Sequence, residues 1–298
     1  MPAVVRRWLG LGLLLALVAM TVPNSAHTEA DYALLKVEHA QVLDKPRRVI
    51  WMLTLGSDAR EGQSVSRSRA DSIHLVGVNT RTGKGVIIGL PRDSYVPIPG
   101  HGSDKINASM VYGGPQLTAR VVERISGVRL DYVFLTDFGG FAAMVHELGG
   151  IRVKPPQAMG GVGGHSFRPR EQWMDGGEAL AFSRIRYGLP GGDFDRTLNQ
   201  GRVLRAGLAR ARALADDPGK FEQMMLRALT RMDTNVPPAE LYRLGRVMLT
   251  IDPRGVRNCR ITGGFGSAGG ASVVIPDLDR LRLLVRRAGA DATLDRGC

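Results

Sequence analysis

Four arginines stand out in a basic chain: Arg92, Arg184, Arg186 and Arg196. Arg92 opens an Arg-Asp-Ser run directly behind Pro91, and the other three flank a glycine- and proline-containing break at 188–192. Guanidinium groups bind phosphate bidentately, and several around one point suit a pyrophosphate. Arg184 and Arg186 would diverge by roughly 200° on one helix. They share a ligand only if that helix unwinds near Gly188. Gln200 lies one turn beyond Arg196, within reach of the same ligand. Asp58 and Asp71 each stand where a strand meets a loop, and carboxylates with phosphate oxygens completing the shell are what Mg²⁺ prefers. The plain alternative is surface arginines and solvated turn aspartates. Arg202, Arg205, Arg210 and Arg212 are assigned to that alternative. Nucleophilic chemistry has little support: there is no Gly-x-Ser-x-Gly, and His74 reads as a packed residue inside a strand.

These groups need rigid elements behind them. Val86, Ile87 and Ile88 are contiguous and β-branched, as in a strand buried on both faces. Pro91 ends its ladder, so Arg92, Asp93 and Ser94 leave the sheet together. Pro97, Pro99 and Gly100 stiffen a loop that delivers Lys105 and Asn107. Residues 49–55 read as a buried strand, and 72–79 with 85–90 as a hairpin. A helix is expected from Pro115 to Ser126, a strand at 132–135, and a helix capped by Asp137 that carries Phe138, Phe141, Val145 and Leu148. Asp175 and Glu178 form a capping-box pattern for a helix leading to Arg184. Further helices are expected at 197–215, 221–232 and 238–249, and residues 159–164 as a mobile glycine-rich loop. The tail alternates strand-like 256–262 and 272–275 around a glycine-rich stretch, then a helix opened by Pro276. This alternation predicts an α/β chain, a three-layer α-β-α sandwich around a mixed central sheet.

The 298 residues are 44% hydrophobic, enough for a sizeable core, and carry a net charge of +12. Such a charge favours a polyanionic partner: nucleic acid, an anionic membrane surface or phosphorylated substrates. Arg6 and Arg7 precede an apolar run from Trp8 to Val22, the pattern of an export signal. The Pro23–Ala26 stretch is a poor cleavage site, so the run is expected to stay as a membrane anchor with the rest outside, cleavage being the alternative. Export turns the charge away from nucleic acid and toward a cell-envelope anion. The expected organisation is anchor or signal 1–26, linker 27–48, catalytic domain 49–250 and a C-terminal extension 251–298 packed on it. Cys259 and Cys298 are the only cysteines. An oxidising exterior lets thiols pair, so a Cys259–Cys298 disulfide is expected to clip the last helix and tail to the 256–262 strand.

Six blocks in order, LGSDAR (55–60), RADSIHLVGVN (69–79), IGLPRDSYVPIPG (88–100), DKINASMVYGGP (104–115), FGGFAAMVHELGGIRV (138–153) and GEALAFSRIRYGLPGGDFDRTLNQ (177–200), resemble the LytR-CpsA-Psr family. The resemblance implies a membrane-anchored phosphotransferase that moves a glycopolymer from a polyprenyl-pyrophosphate carrier onto peptidoglycan through a phosphodiester. It implies Asp58 and Asp71 as Mg²⁺ ligands. Arg69, Arg92, Arg184, Arg186 and Arg196 become pyrophosphate ligands, with Lys105 and Gln200 as further head-group contacts. Asp93 matches the acidic partner beside Arg92, so the implied catalytic set is Arg92, Asp93, Arg184 and Arg186. Ala70 departs from the Ser or Thr usual there. An apolar tunnel for the prenyl chain is also implied, with Phe138, Phe141, Val145 and Leu148 as candidate lining; ordinary core packing explains each of them singly. Two other readings use the same residues: a non-catalytic module binding envelope lipid or glycan, and a secreted pyrophosphatase.

Overall fold

The computed structural model describes residues 32–40, 43, 49–294 and 298. The expected anchor therefore lies outside the described residues. Among those described, no helix is long and apolar enough to cross a membrane.

Seven strands build one mixed sheet in the order β12-β1-β7-β2-β3-β4-β13. They are β1 (Tyr32–Lys36), β2 (Val49–Ser57), β3 (Ala70–Asn79), β4 (Lys84–Gly89), β7 (Tyr132–Thr136), β12 (Met232–Thr234) and β13 (Val256–Arg260). The β2-β3-β4 meander is antiparallel, including the expected 72–79/85–90 hairpin. The pairs β2/β7, β1/β12 and β4/β13 are parallel. Period-two alternation explains why both faces are covered. Trp51, Leu53 and Leu55 of β2 enter one core, while Ile50 and Met52 enter the other. The first core is closed by α1 (Ala108–Ser126) and α7 (Leu278–Ala288). The second is covered by α4 (Asp193–Ala215), α5 (Lys220–Arg231) and α6 (Pro238–Thr250). The result is the expected three-layer sandwich around a mixed sheet.

A third, smaller core joins α2 (Phe138–Glu147), α3 (Gly176–Arg184) and four short strands. These are β8 (Ile151–Val153), β9 (Met159–Val162), β10 (His165–Phe167) and β11 (Gln172–Met174). The expected caps form: Asp137 accepts from the Gly140 amide, and Asp175 with Glu178 makes a complete capping box. Two small hairpins lie outside the main sheet, β5 (Tyr95–Ile98) with β6 (Gly102–Lys105) and β14 (Gly263–Ala268) with β15 (Ala271–Pro276).

Four expectations are corrected. Residues 32–36, expected within a linker, are a strand between β7 and β12. Tyr32 and Leu34 bury on one face while Ala33 and Leu35 pack on the other, a pattern too short to stand out in a polar context. The 251–298 segment is an integral part of the sandwich: β13 extends the main sheet, and Leu281, Leu284 and Val285 of α7 fill the first core. Residues 159–164, expected as a mobile loop, supply β9 and its turn into β10. The helix expected from Pro115 begins at Ala108 and kinks at Gly113–Gly114, after which Pro115 starts the straight part. Cys259 and Cys298 are disulfide-bonded with Cα atoms 5.0 Å apart, as expected.

Candidate active site

The ends of β2, β4 and β7 and the start of β3 meet at one edge of the sheet, because β3 runs against the other three. Asp58, Asp71, Arg92 and Asp137 follow or open these strands, so topology alone gathers them. Local detail then aims them. Gly56 pairs with Ser72 but Ser57 pairs with Ala70, which leaves Asp71 as the extra residue of a β-bulge. A bulge breaks the in-out alternation. Consecutive side chains Asp71 and Ser72 therefore both face the same cavity.

Asp71 is ion-paired with Arg92. Asp93 lies 4.0 Å from Arg92 Nε and 3.3 Å from Lys105 Nζ. Across from them the first turn of α4 presents Arg196, buried and ion-paired with Asp193. Burial works against the charge of Arg92, but Asp71 and then Asp93 outweigh it and hold the guanidinium above its ordinary pKa. Burial lowers the Arg196 pKa and raises that of Asp193. The Nε atoms of Arg92 and Arg196 are buried with no hydrogen-bond acceptor among the described residues. Two guanidinium groups with donors to spare suit a ligand with several anionic oxygens. Gln200 donates to the carbonyls of Asp71 and Ser183, each at 3.3 Å, tying α4 to β3 and α3.

Beneath this cluster opens a cavity of about 260 Å³. Asp71, Ser72, Ser183, Arg184, Arg196 and Gln200 form its polar end. The rest is mainly apolar, with Thr54, Thr136 and Asp137 among it, and includes Phe138, Phe141, Val145 and Leu148, the four residues singled out for a tunnel. It adjoins two further cavities of about 440 and 290 Å³, and Leu208 lines all three. Methionines 144, 224, 225, 232 and 248 line the two further cavities, soft side chains that adapt to a flexible apolar guest.

The other expected site residues are placed as follows. α3 ends at Arg184, and Ile185 is extended, so the helix unwinds between the two arginines. Arg184 stacks over Phe138 at 4.5 Å and lines the cavity. Arg186 instead turns to Tyr187, bonding its hydroxyl at 2.8 Å, and does not line the cavity. Arg69 has an exposed side chain, and its backbone N–H donates to Asp58 Oδ1 at 2.9 Å. Arg202, Arg210 and Arg212, assigned to the surface, are structural anchors. Arg210 bonds the Leu148 carbonyl at 2.8 Å and stacks on Trp173, Arg212 bonds the Ile251 carbonyl, and Arg202 bonds Asn199.

Sequence reasoning missed Asp193, whose one signal is its i,i+3 spacing to Arg196. It also missed the partners of His74. That ring is fully buried, and its Nε2 lies 3.0 Å from the Thr197 carbonyl, so Nε2 carries the proton. Nδ1 then accepts from the Ser72 hydroxyl at 3.1 Å. Burial lowers its pKa to about 4. Gly89 makes this approach possible, since a Cβ there would strike Thr197 and the His74 ring.

For a metal, the described residues hold no cluster of three or more His, Cys, Asp or Glu. Asp58 and Asp71 each commit one oxygen, to the Arg69 amide and to Arg92. Mg²⁺ takes one or two carboxylates and completes its octahedron with phosphate and water, so this sparse oxygen set fits part of such a shell.

The sequence model of the LytR_cpsA_psr family matches residues 17–286. The chain belongs to the LytR-CpsA-Psr family. One curated relative is the polyisoprenyl-teichoic acid–peptidoglycan teichoic acid transferase TagU of Bacillus licheniformis. It is 36% identical over 186 residues, 62% of this chain and 59% of the relative. The chain thus spans about three-fifths of that relative's length. Among solved structures, B. subtilis TagV is similar with a TM-score of 0.70 and 26% identity, covering 84% of this chain and 100% of that one. A LytR-CPS2A-psr family protein, YwtF (TagT), with bound octaprenyl pyrophosphate lipid has the same fold: TM-score 0.65, 23% identity, 87% of this chain and 96% of that one.

Proposed function

We propose that this LytR-CpsA-Psr protein transfers a glycopolymer from a polyprenyl-pyrophosphate carrier to peptidoglycan, forming a phosphodiester. The observation that carries the reading is an apolar cavity whose polar end includes the buried Arg196, with Arg92 close by, each guanidinium keeping an unpartnered Nε. An amphiphile with an apolar tail and a pyrophosphate head matches both ends. The TagU relative's name describes the same transfer, which supports the reading.

In this reading Arg92, Arg184 and Arg196 bind the pyrophosphate oxygens and neutralise the charge that builds on them as the bond breaks. Gln200 holds the helix turn that carries Arg196. Asp58 and Asp71 would hold Mg²⁺, which when bound draws electron density from the phosphate oxygens. The acceptor hydroxyl oxygen forms a bond to the glycan-bearing phosphorus, and the bond from that phosphorus to the lipid phosphate breaks. Polyprenyl phosphate leaves with the electron pair, and the hydroxyl proton passes to a carboxylate or to solvent. Asp93, held between Lys105 and Arg92, serves to orient those cations. Lys105, Arg69 and Arg186 act at the periphery. The domain works outside the cell membrane, tethered by the apolar segment 8–22.

The test is product analysis with a polyprenyl-pyrophosphate-linked glycan and Mg²⁺, with and without peptidoglycan fragments. Transfer gives a phosphodiester-linked product and lipid monophosphate only when acceptor is present. Equal lipid monophosphate without acceptor makes the protein a pyrophosphatase. Binding without turnover makes it a carrier module.

A further inference from the structure

The β14–β15 hairpin lies at the rim of the cation cluster and has had no part in the chemistry so far. Its backbone is fastened there: the Val274 amide donates to the Asp93 carbonyl at 2.9 Å, and Val274 forms a bridge with Ser94. β14 bears one large side chain, Phe265, between glycines, and it is 65% exposed. The ring meets Phe194 edge-on at 5.6 Å. Arg260 stacks on Phe194 at 4.9 Å and pairs with Asp195, which fixes this aromatic step. A two-residue turn, Gly269–Gly270, closes the hairpin with both φ angles positive, as tight hairpin turns require.

The position matters because of α4. Its cavity face carries Arg196, Gln200, Val203, Leu204 and Leu208. Phe194 lies in the first turn of α4, two residues before Arg196. Phe265 therefore stands at the start of α4, beside Gly192 and Phe194, whereas the apolar cavity runs along the later turns from Arg196 to Leu208. Phosphoryl displacement places the attacking and leaving oxygens roughly in line. If the lipid phosphate departs toward the apolar cavity, the incoming hydroxyl must arrive from the hairpin side. There it meets an exposed aromatic ring, and the apolar C–H face of a pyranose packs well on such a ring. Gly264, next along the strand, has open space where a side chain would stand.

We propose that the β14–β15 hairpin, through Phe265, is one wall of the acceptor site and binds the glycan strand that receives the polymer. This rests on the transferase reading for its direction of attack.

The probe is a tetramer of β-1,4-linked N-acetylglucosamine, titrated by NMR onto the full chain. Phe265→Ala should weaken binding by roughly three- to tenfold, the range for losing one aromatic contact. Phe265→Trp should restore it. Binding of polyprenyl pyrophosphate and the thermal midpoint should match wild type for both variants. A tetramer that does not bind wild type, that binds Phe265→Ala equally well, or a variant that loses the lipid too, overturns the proposal. Donor turnover is read separately: wild type that binds the tetramer through Phe265 yet transfers nothing refutes the transferase reading and leaves the sugar wall standing.

Discussion

His74 links the two halves of the site, and acid should cut that link. The ring is buried and neutral, its pKa lowered from 6.5 to about 4. The unfolded chain takes up a proton at this residue as pH falls through 6.5, whereas the folded chain does so only near 4. Between those values the unfolded state binds more protons, so stability is complete above about pH 6.5 and is lost on acidification. Linkage puts the loss between about pH 7 and about pH 4.5 at roughly 2.5 kcal/mol. His74→Leu removes the titration but leaves the Ser72 hydroxyl and the Thr197 carbonyl without this partner. That costs on the order of 1–3 kcal/mol at neutral pH. Urea unfolding of both proteins across this range reads the difference, since carboxylates titrate in both and cancel. The gap at pH 7 should shrink or reverse by pH 4.5. Two curves that fall in parallel would refute the reasoning, because they would mean that His74 protonates equally in the folded and unfolded chains.

Arg196→Ala should lower donor turnover on the order of 10²–10³-fold, whereas Arg254→Ala, almost fully exposed, should leave it within twofold in the same assay. Arg186→Ala should cost less than Arg184→Ala, since Arg186 turns away to Tyr187; equal losses would return it to the site. Asp71→Asn should weaken Mg²⁺ binding measured calorimetrically with pyrophosphate present, and Asp58→Asn should do so too; an unchanged affinity in both removes the metal from these residues. Cys298→Ser opens a loop spanning 39 residues, which the chain-entropy model puts at roughly 4 kcal/mol of stability, read as a lower thermal midpoint with transfer retained.

Much of this protein is written locally. The β-branched run 86–88, the Asp137 cap and the Asp175–Glu178 capping box are short-range physics, and each element forms where its residues put it. The six ordered blocks were enough to show the resemblance to the family, which the family model's match to residues 17–286 bears out. What the chain does not write locally is which side chains meet. Asp71 and Ser72 share a cavity through a one-residue bulge, which depends on how β2 and β3 are registered. Arg184 and Arg186 leave a shared helix because the backbone turns extended at Ile185. Asp193 matters only because α4 docks its first turn against Arg92, and β1 is a strand only because β7 and β12 stand on either side. Residue identity sets what chemistry is possible. Register, bulges and docking bring charges from distant parts of the chain within a few ångströms of one another, and only the folded structure decides that.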